Sequence, residues 1–346
     1  MIKPKRLIKG DKVAIVSLSR GMLGEDMFIH KYHIAKERLE KDYGLEVVAM
    51  PNALKGIDYL DKHPEARAED LMQAFADKEI KAVFNAIGGF DTIRLLPYID
   101  FDVLRNNPKI FTGFSDTTTN HFMMYKAGLV SYYGMSVMNN IAEYVKINEY
   151  TKYFFDKMLF DPADALEIPC SEFCSYDTDK IWWGENNVND ATPRYPNTEY
   201  EILQGSGVVK GELLGGCIDV FPALIGTTLF PTVEQWKGKL LLIETSESNM
   251  SEIMLGKLLR NFKAQGIIDV ISGIVVGKPA FKDKYDSYKE VYKRVIGYEA
   301  DRPDLPILYN VNVGHAYPIG LFPLGLKYKI DCDNKRFTLL EPATLV

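Results

Sequence analysis

Short apolar runs rich in β-branched residues alternate with stretches of helical spacing through the first third of the chain. That alternation constrains the fold more than any other feature. VAIVSLS (Val13–Ser19) leads into Glu25–Lys41, where Phe28, Ile29, Ile34 and Leu39 recur at helical intervals. LEVVAMP follows, then a helix expected near Ala66–Ala76, then KAVFNAIGG, KIFTGFSD, a helix from about Thr117 to Lys126, and LVSYYGMS. Strands this short and apolar, separated by helices, pack as a parallel sheet covered on both faces.

Residues 162–207 break the rhythm. They are crowded with Asn, Asp, Pro and Gly (CSYDTDKIWWGENNVNDATPRYPNTEY) and read as a long irregular connection with room for a hairpin. A second domain is expected from Ser206. VVKGELLGGCIDVFPALIG reads as strand, glycine turn, helix, and KLLLIETSE as a buried strand ending in carboxylates. MSEIMLGKLLRNFKAQG reads as an amphipathic helix stopped by Gly266, and ISGIVVGKP as another buried strand. PILYNVNVGH reads as a strand closed by a histidine, and LKYKIDCDNKRFTLLEP as a hairpin turning at Asp333-Asn334. The expected fold is α/β. A doubly wound, mostly parallel N-terminal domain covers 1–160, a linker and insert loop 161–205, and a β-rich α/β domain 206–346.

At about 150 residues per domain, 346 residues fit that division. Composition narrows the function. A net charge of −6 argues against a nucleic-acid partner. No run of about 18 apolar residues occurs, so no membrane-spanning helix is expected. MIKPKRLIKGDKVAIVSLS lacks the apolar core and small-residue cleavage site of a signal peptide, so a cytoplasmic location is expected. Four cysteines (Cys170, Cys174, Cys217, Cys332) are too few for a disulfide framework and lack zinc-ligand spacing, so no metal site is expected.

Four segments carry candidate chemistry. In KIFTGFSDTTTNHF, Ser115 stands at a tight turn between a buried strand and a helix. Such a turn lifts a hydroxyl toward a cleft, and the helix start behind it favours negative charge on a bound carbonyl oxygen. The plainer reading is that Ser115 or Asp116 caps the helix. The G-x-S-x-G elbow is not met, because Thr117 replaces the second glycine. Gly88-Gly89 follows a buried strand and would let backbone approach a ligand, or would simply turn the chain. It satisfies neither a phosphate-loop nor a dinucleotide pattern. Glu244 ends the LLLIE strand, with Glu247 three residues on. Carboxylates there occupy the side of an α/β sheet where sites lie, or merely solvate a strand end. His315 follows Gly314 late in the chain and could be structural. Of the other histidines, His30 and His33 lie on a surface-like helix, His63 lies in a charged loop, and His121 could be core. Together, Ser115, Glu244 and His315 offer a nucleophile, a carboxylate that orients a base, and the base.

These residues are recognisable. GGFDTIRLLPYIDFDVLRNNPKIFTGFSDTTTNHF, GELLGGCIDVFPALIGT, LLLIETSE and VNVGHAYP resemble serine peptidase family S66 from about Gly10 to Pro342. That family holds LD-carboxypeptidases and microcin C immunity peptidases. The resemblance implies a site between two domains, with Ser115 as nucleophile, Glu244 and His315 completing the triad, and the Gly89 and Asp116 amides as oxyanion donors. Gly88, Glu247 and the Trp182-Trp183 loop are expected to bind substrate. In immunity-type members an aromatic residue on such a loop stacks on a nucleobase, although either tryptophan could simply anchor the loop. The resemblance implies no cofactor, a homodimer, and a small peptide-like or aminoacyl-nucleotide substrate. It favours cleavage of aminoacyl-adenylate-type compounds, with removal of terminal D-alanine from muropeptides as the alternative. Two readings of other classes are a non-catalytic two-lobe ligand-binding protein and a catalytically silent relative acting in an assembly.

Overall fold

The structure, a computed structural model, describes residues 1–346 and contains two large sheets. Strand order across the first is Phe322–Leu324, Ser131–Tyr133, Ile110–Gly113, Ile80–Asn85, Lys12–Val16, Glu46–Ala49. All neighbours are parallel except Phe322–Leu324, which pairs antiparallel with Ser131–Tyr133. The expected α/β architecture is therefore present, with an edge strand lent by the C-terminal part of the chain.

The second sheet is mixed. Val208–Cys217 joins its two halves: residues 208–212 run antiparallel to Lys327–Asp331, and 213–217 run parallel to Leu240–Glu244. Gly273–Gly277 and Ile307–Val311 continue the parallel half. The insert supplies both edges, through Leu166–Glu167 and Glu201–Ile202. It also forms a short antiparallel pair, Phe173–Cys174 with Tyr195–Pro196.

Side-chain alternation explains how the lobes dock. Val13 and Ile15 face one apolar core, while Ala14 and Val16 face the other. Leu240 and Leu242 join the first core, while Leu241 and Ile243 join the second. Each core thus runs through both lobes, and their relative placement is fixed by close packing. The Glu252–Ala264 helix shows the helical counterpart. Ser251 caps it by accepting from the Met254 amide, and Leu255, Leu258, Leu259 and Phe262 form its buried stripe.

Three local expectations are corrected. Gly215 and Gly216 do not turn the chain. They stay in the strand, in register with Leu242 and Ile243, and the turn comes after Cys217. The first helix starts at Ile29 rather than Glu25, because Glu25 Oε1 accepts the Ile57 amide at 2.6 Å and serves the next helix instead. The late strand stops at Val311, so His315 lies in the loop beyond it.

Candidate active site

The Ile110–Gly113 strand runs into Ser115, whose φ of +62° lies in the left-handed region that side-chain-bearing residues rarely enter. Such local strain is characteristic of a nucleophile held at a strand-to-helix turn. Neither Ser115 nor Asp116 caps the helix that follows (Thr118–Ala127). Asp116 is spent elsewhere: its Oδ2 accepts from Ser19 Oγ at 2.6 Å, Thr92 Oγ1 at 2.6 Å and the Thr92 amide at 2.9 Å. It ties the turn to the loops after two neighbouring strands. His121 is core. Its ring nitrogens pair with Ser131 Oγ and the Gly113 carbonyl, both at 2.8 Å, and burial pushes it down to about 4.

Gly88 passes directly beneath Ser115. A Cβ there would stand 2.7 Å from Ser115 Cβ and 2.9 Å from its Oγ, which no side chain tolerates. Gly89 is pressed against Ser19 in the same way. The glycine pair is thus a close backbone approach to Ser115, not a plain turn.

From the second lobe, Glu244 is almost fully buried and His315 is 4% exposed. Glu244 Oε2 lies 2.7 Å from His315 Nδ1. Gly314, at φ +102°, makes this possible, since a Cβ there would stand 2.5 Å from Glu244 Oε2. The other oxygen, Oε1, accepts from the Tyr133 hydroxyl at 2.5 Å, and that hydroxyl accepts the Ser115 amide at 3.1 Å. Tyr133 therefore links the Ser115 turn to Glu244 across the lobes. Sequence reasoning missed it, because Tyr132 beside it carries the same residue type and bonds only the Ala343 carbonyl. Tyr133→Phe would leave the Ser115 amide without a partner and one Glu244 oxygen without a donor. We expect kcat/KM to fall about 10- to 100-fold, checked by steady-state kinetics alongside thermal melts.

Nε2 of His315 lies 3.1 Å from Glu247 Oε2. Burial disfavours a charged ring, yet the two carboxylates outweigh it and push His315 up to about 10. In return the His315 hydrogen bond holds Glu247 down to about 2. Cys217, Glu244 and His315 offer ligand atoms within 4.8 Å of one another. Burial pushes the Cys217 thiol well above its ordinary value, and Glu244 and His315 are paired with each other. As they stand, the three make a poor metal site.

Ser115, Gly88, Gly89, Glu247, His315 and Trp183 share one cavity of about 200 Å³, which Arg20, Asn139 and Lys180 also line. The two tryptophans part company. Trp183 forms part of the wall, whereas Trp182 is 64% exposed and lies outside it, and both meet Phe28 edge-on. Lys31 lies over the rings of Tyr144 and Trp183. A crevice that shares Asn139, Lys180 and Trp183 with this cavity also shares Glu143 and Tyr317 with a larger hollow of about 460 Å³, lined in part by the insert.

A strained serine backed by a glycine pair, sharing one cavity with a buried imidazole–carboxylate couple between two docked α/β lobes, defines a serine hydrolase. Comparison with known proteins makes the assignment specific. The LD-carboxypeptidase N-terminal domain of the S66 peptidases matches residues 13–134, and the corresponding C-terminal domain matches 210–330. The chain belongs to the S66 peptidase family. A putative carboxypeptidase of Bacillus subtilis, YocD, is 30% identical over 331 residues, spanning 94% of this chain and 95% of that one. The microcin C7 self-immunity protein MccF of Escherichia coli is 28% identical over 279 residues, 80% of this chain and 78% of that one. The crystal structure of an MccF-like protein from Streptococcus pneumoniae in complex with AMP superposes with a TM-score of 0.87 at 35% identity, covering 95% of this chain and 98% of that one.

Proposed function

We propose that this protein hydrolyses the bond joining an aminoacyl group to an adenylate-type leaving group, with Ser115, His315 and Glu244 as its triad. Ser115 Oγ attacks the carbonyl carbon and passes its proton to His315 Nε2. The Gly89 and Asp116 amides hold the oxyanion, and Glu244 fixes the imidazole through Nδ1. His315 then gives the proton to the leaving nitrogen as the acyl bond breaks. Water, deprotonated by the same ring, releases the acyl group from Ser115.

The observation that carries the substrate class is Trp183 on the wall of the Ser115 cavity, with further hollow space beyond it. An indole face suits a nucleobase, whereas removal of a single D-alanine needs no such surface. The AMP held by the Streptococcus pneumoniae relative supports the same reading. In it, residues 1–160 carry the nucleophile, 161–205 cover the cleft, and 206–346 carry acid and base. The homodimer rests on the family resemblance alone. A cytoplasmic location is supported by four cysteines that all remain free, and no helix is long and apolar enough to cross a membrane.

The deciding experiment offers two panels, aminoacyl-sulfamoyl adenosines and muropeptides ending in D-alanine. Hydrolysis of the first is expected. Turnover confined to the second overturns the proposed substrate while leaving the triad in place.

A further inference from the structure

The Ile29–Tyr43 helix buries Lys31, Ala35 and Leu39 along one stripe, so an ammonium stands where an apolar side chain would pack. Lys31 is 2% exposed. Its Nζ has three N–H groups and one hydrogen-bond acceptor, the Ala142 carbonyl at 2.9 Å. No carboxylate forms an ion pair with it. Burial pushes it down to about 7, while from further off Glu143 favours its charge and Arg38 opposes it. A charge kept from water in this way is costly unless something else meets it.

Two aromatic rings meet it. Nζ lies 3.7 Å from the ring centre of Tyr144 and 5.5 Å from that of Trp183, both within cation–π range. Tyr144 is tied to the same stretch of the insert, since its hydroxyl donates to the Gly184 carbonyl at 3.0 Å, one residue beyond Trp183. The insert around Trp183 has only single turns, at Asp177–Asp179 and Glu185–Asn187, so its own backbone cannot fix the indole. Anchors from the first lobe decide where the ring stands. Trp183 lines both the Ser115 cavity and the adjoining crevice, whereas Lys31 lines the crevice alone. The ammonium therefore meets the indole from the crevice side and leaves the cavity side open.

We propose that Lys31 is a positioning residue for nucleotide recognition: its ammonium holds the Trp183 indole so that the open face is already presented when a base arrives. An indole ordered beforehand loses less freedom on stacking, and the ligand binds more tightly for it. Lys31 touches no part of the substrate and acts only through Trp183. The inference rests on the aminoacyl-adenylate reading and deepens it.

Calorimetric binding of AMP and of adenosine tests it with the full-length protein at about pH 6, where the ammonium is charged. Lys31→Met keeps the length of the stem, and Lys31→Gln keeps a donor for the Ala142 carbonyl. Both lose the charge. Each should weaken AMP and adenosine alike, by about 3- to 30-fold. In a Trp183→Phe background the same substitutions should cost less than about threefold, because their effect runs through the indole. The melting temperature should hold, since a costly buried charge is removed. Unchanged affinity in either variant, a loss confined to AMP, which would put the ammonium on the phosphate, or an equal loss in both backgrounds overturns the inference. A second arm needs no ligand. Acrylamide quenching of the Trp183 emission, taken as the part lost in Trp183→Phe, should rise in Lys31→Met, and unchanged quenching overturns the inference. If wild type binds neither AMP nor adenosine while quenching rises, the nucleotide reading fails and the hold of Lys31 on Trp183 stands.

Discussion

Ser115→Ala should lower kcat by roughly 10⁵- to 10⁶-fold while the protein folds as before. The size follows from the role: of the hydroxyls on this turn it is Ser115 that lines the cavity with His315, and a triad acts as a unit. Retention of the fold follows from what the side chain does not do. Ser115 Oγ caps no helix, and the links that hold the turn run through its backbone amide to Tyr133 and its carbonyl to Thr118 Oγ1 at 2.6 Å. Alanine keeps the Cβ and therefore the same positive φ, so the melting temperature should move little. Turnover within about tenfold of wild type would remove Ser115 from the mechanism and the triad with it.

Much of this site could be read from the chain before any coordinates. Buried parallel strands announce themselves as unbroken apolar runs, so Ile110–Gly113 and Leu240–Glu244 have the bounds the residues suggest. Ser115 and Glu247 follow such runs and Glu244 closes one, placing them at the edge where α/β proteins build sites. What stayed hidden depends on partners distant in sequence. Phe322–Leu324 is three residues long, and nothing in FPL says that it crosses to the other lobe to pair with Ser131–Tyr133. Gly215-Gly216 looks like a turn until Leu242 and Ile243 are seen beside it. Tyr133 differs from Tyr132 only in which face of the strand it occupies, and that parity decides between Glu244 and a distant carbonyl. Glu247 was legible as a carboxylate near the site. Its seat on Nε2 was not, because that depends on the loop beyond Val311 bringing His315 back across the end of Leu240–Glu244.

Glu244→Gln should be nearly as damaging, with kcat lower by about 10⁴-fold. The amide is the same size, so packing around this buried position is kept. Yet it can turn an N–H toward Nδ1, which forces the proton onto Nε2 and leaves no lone pair for Ser115. It also removes the charge that stabilises the imidazolium formed in the reaction. The same substitution has a signature in stability, and its sign is set by His315. That ring is raised from 6.5 to about 10 in the folded protein, against burial, by Glu244 first and Glu247 second. A group whose folded value is raised stabilises the fold fully below its unfolded value, and the contribution disappears as pH climbs through the folded one. Wild type should therefore lose stability between about pH 6.5 and pH 10 through this group. In Glu244→Gln one carboxylate is gone, the ring's folded value drops, and the loss across that window should shrink. Urea unfolding at the two ends of the window reads the difference. An unchanged slope together with kcat within tenfold of wild type would mean that Glu244 neither holds the ring's charge nor sets its tautomer.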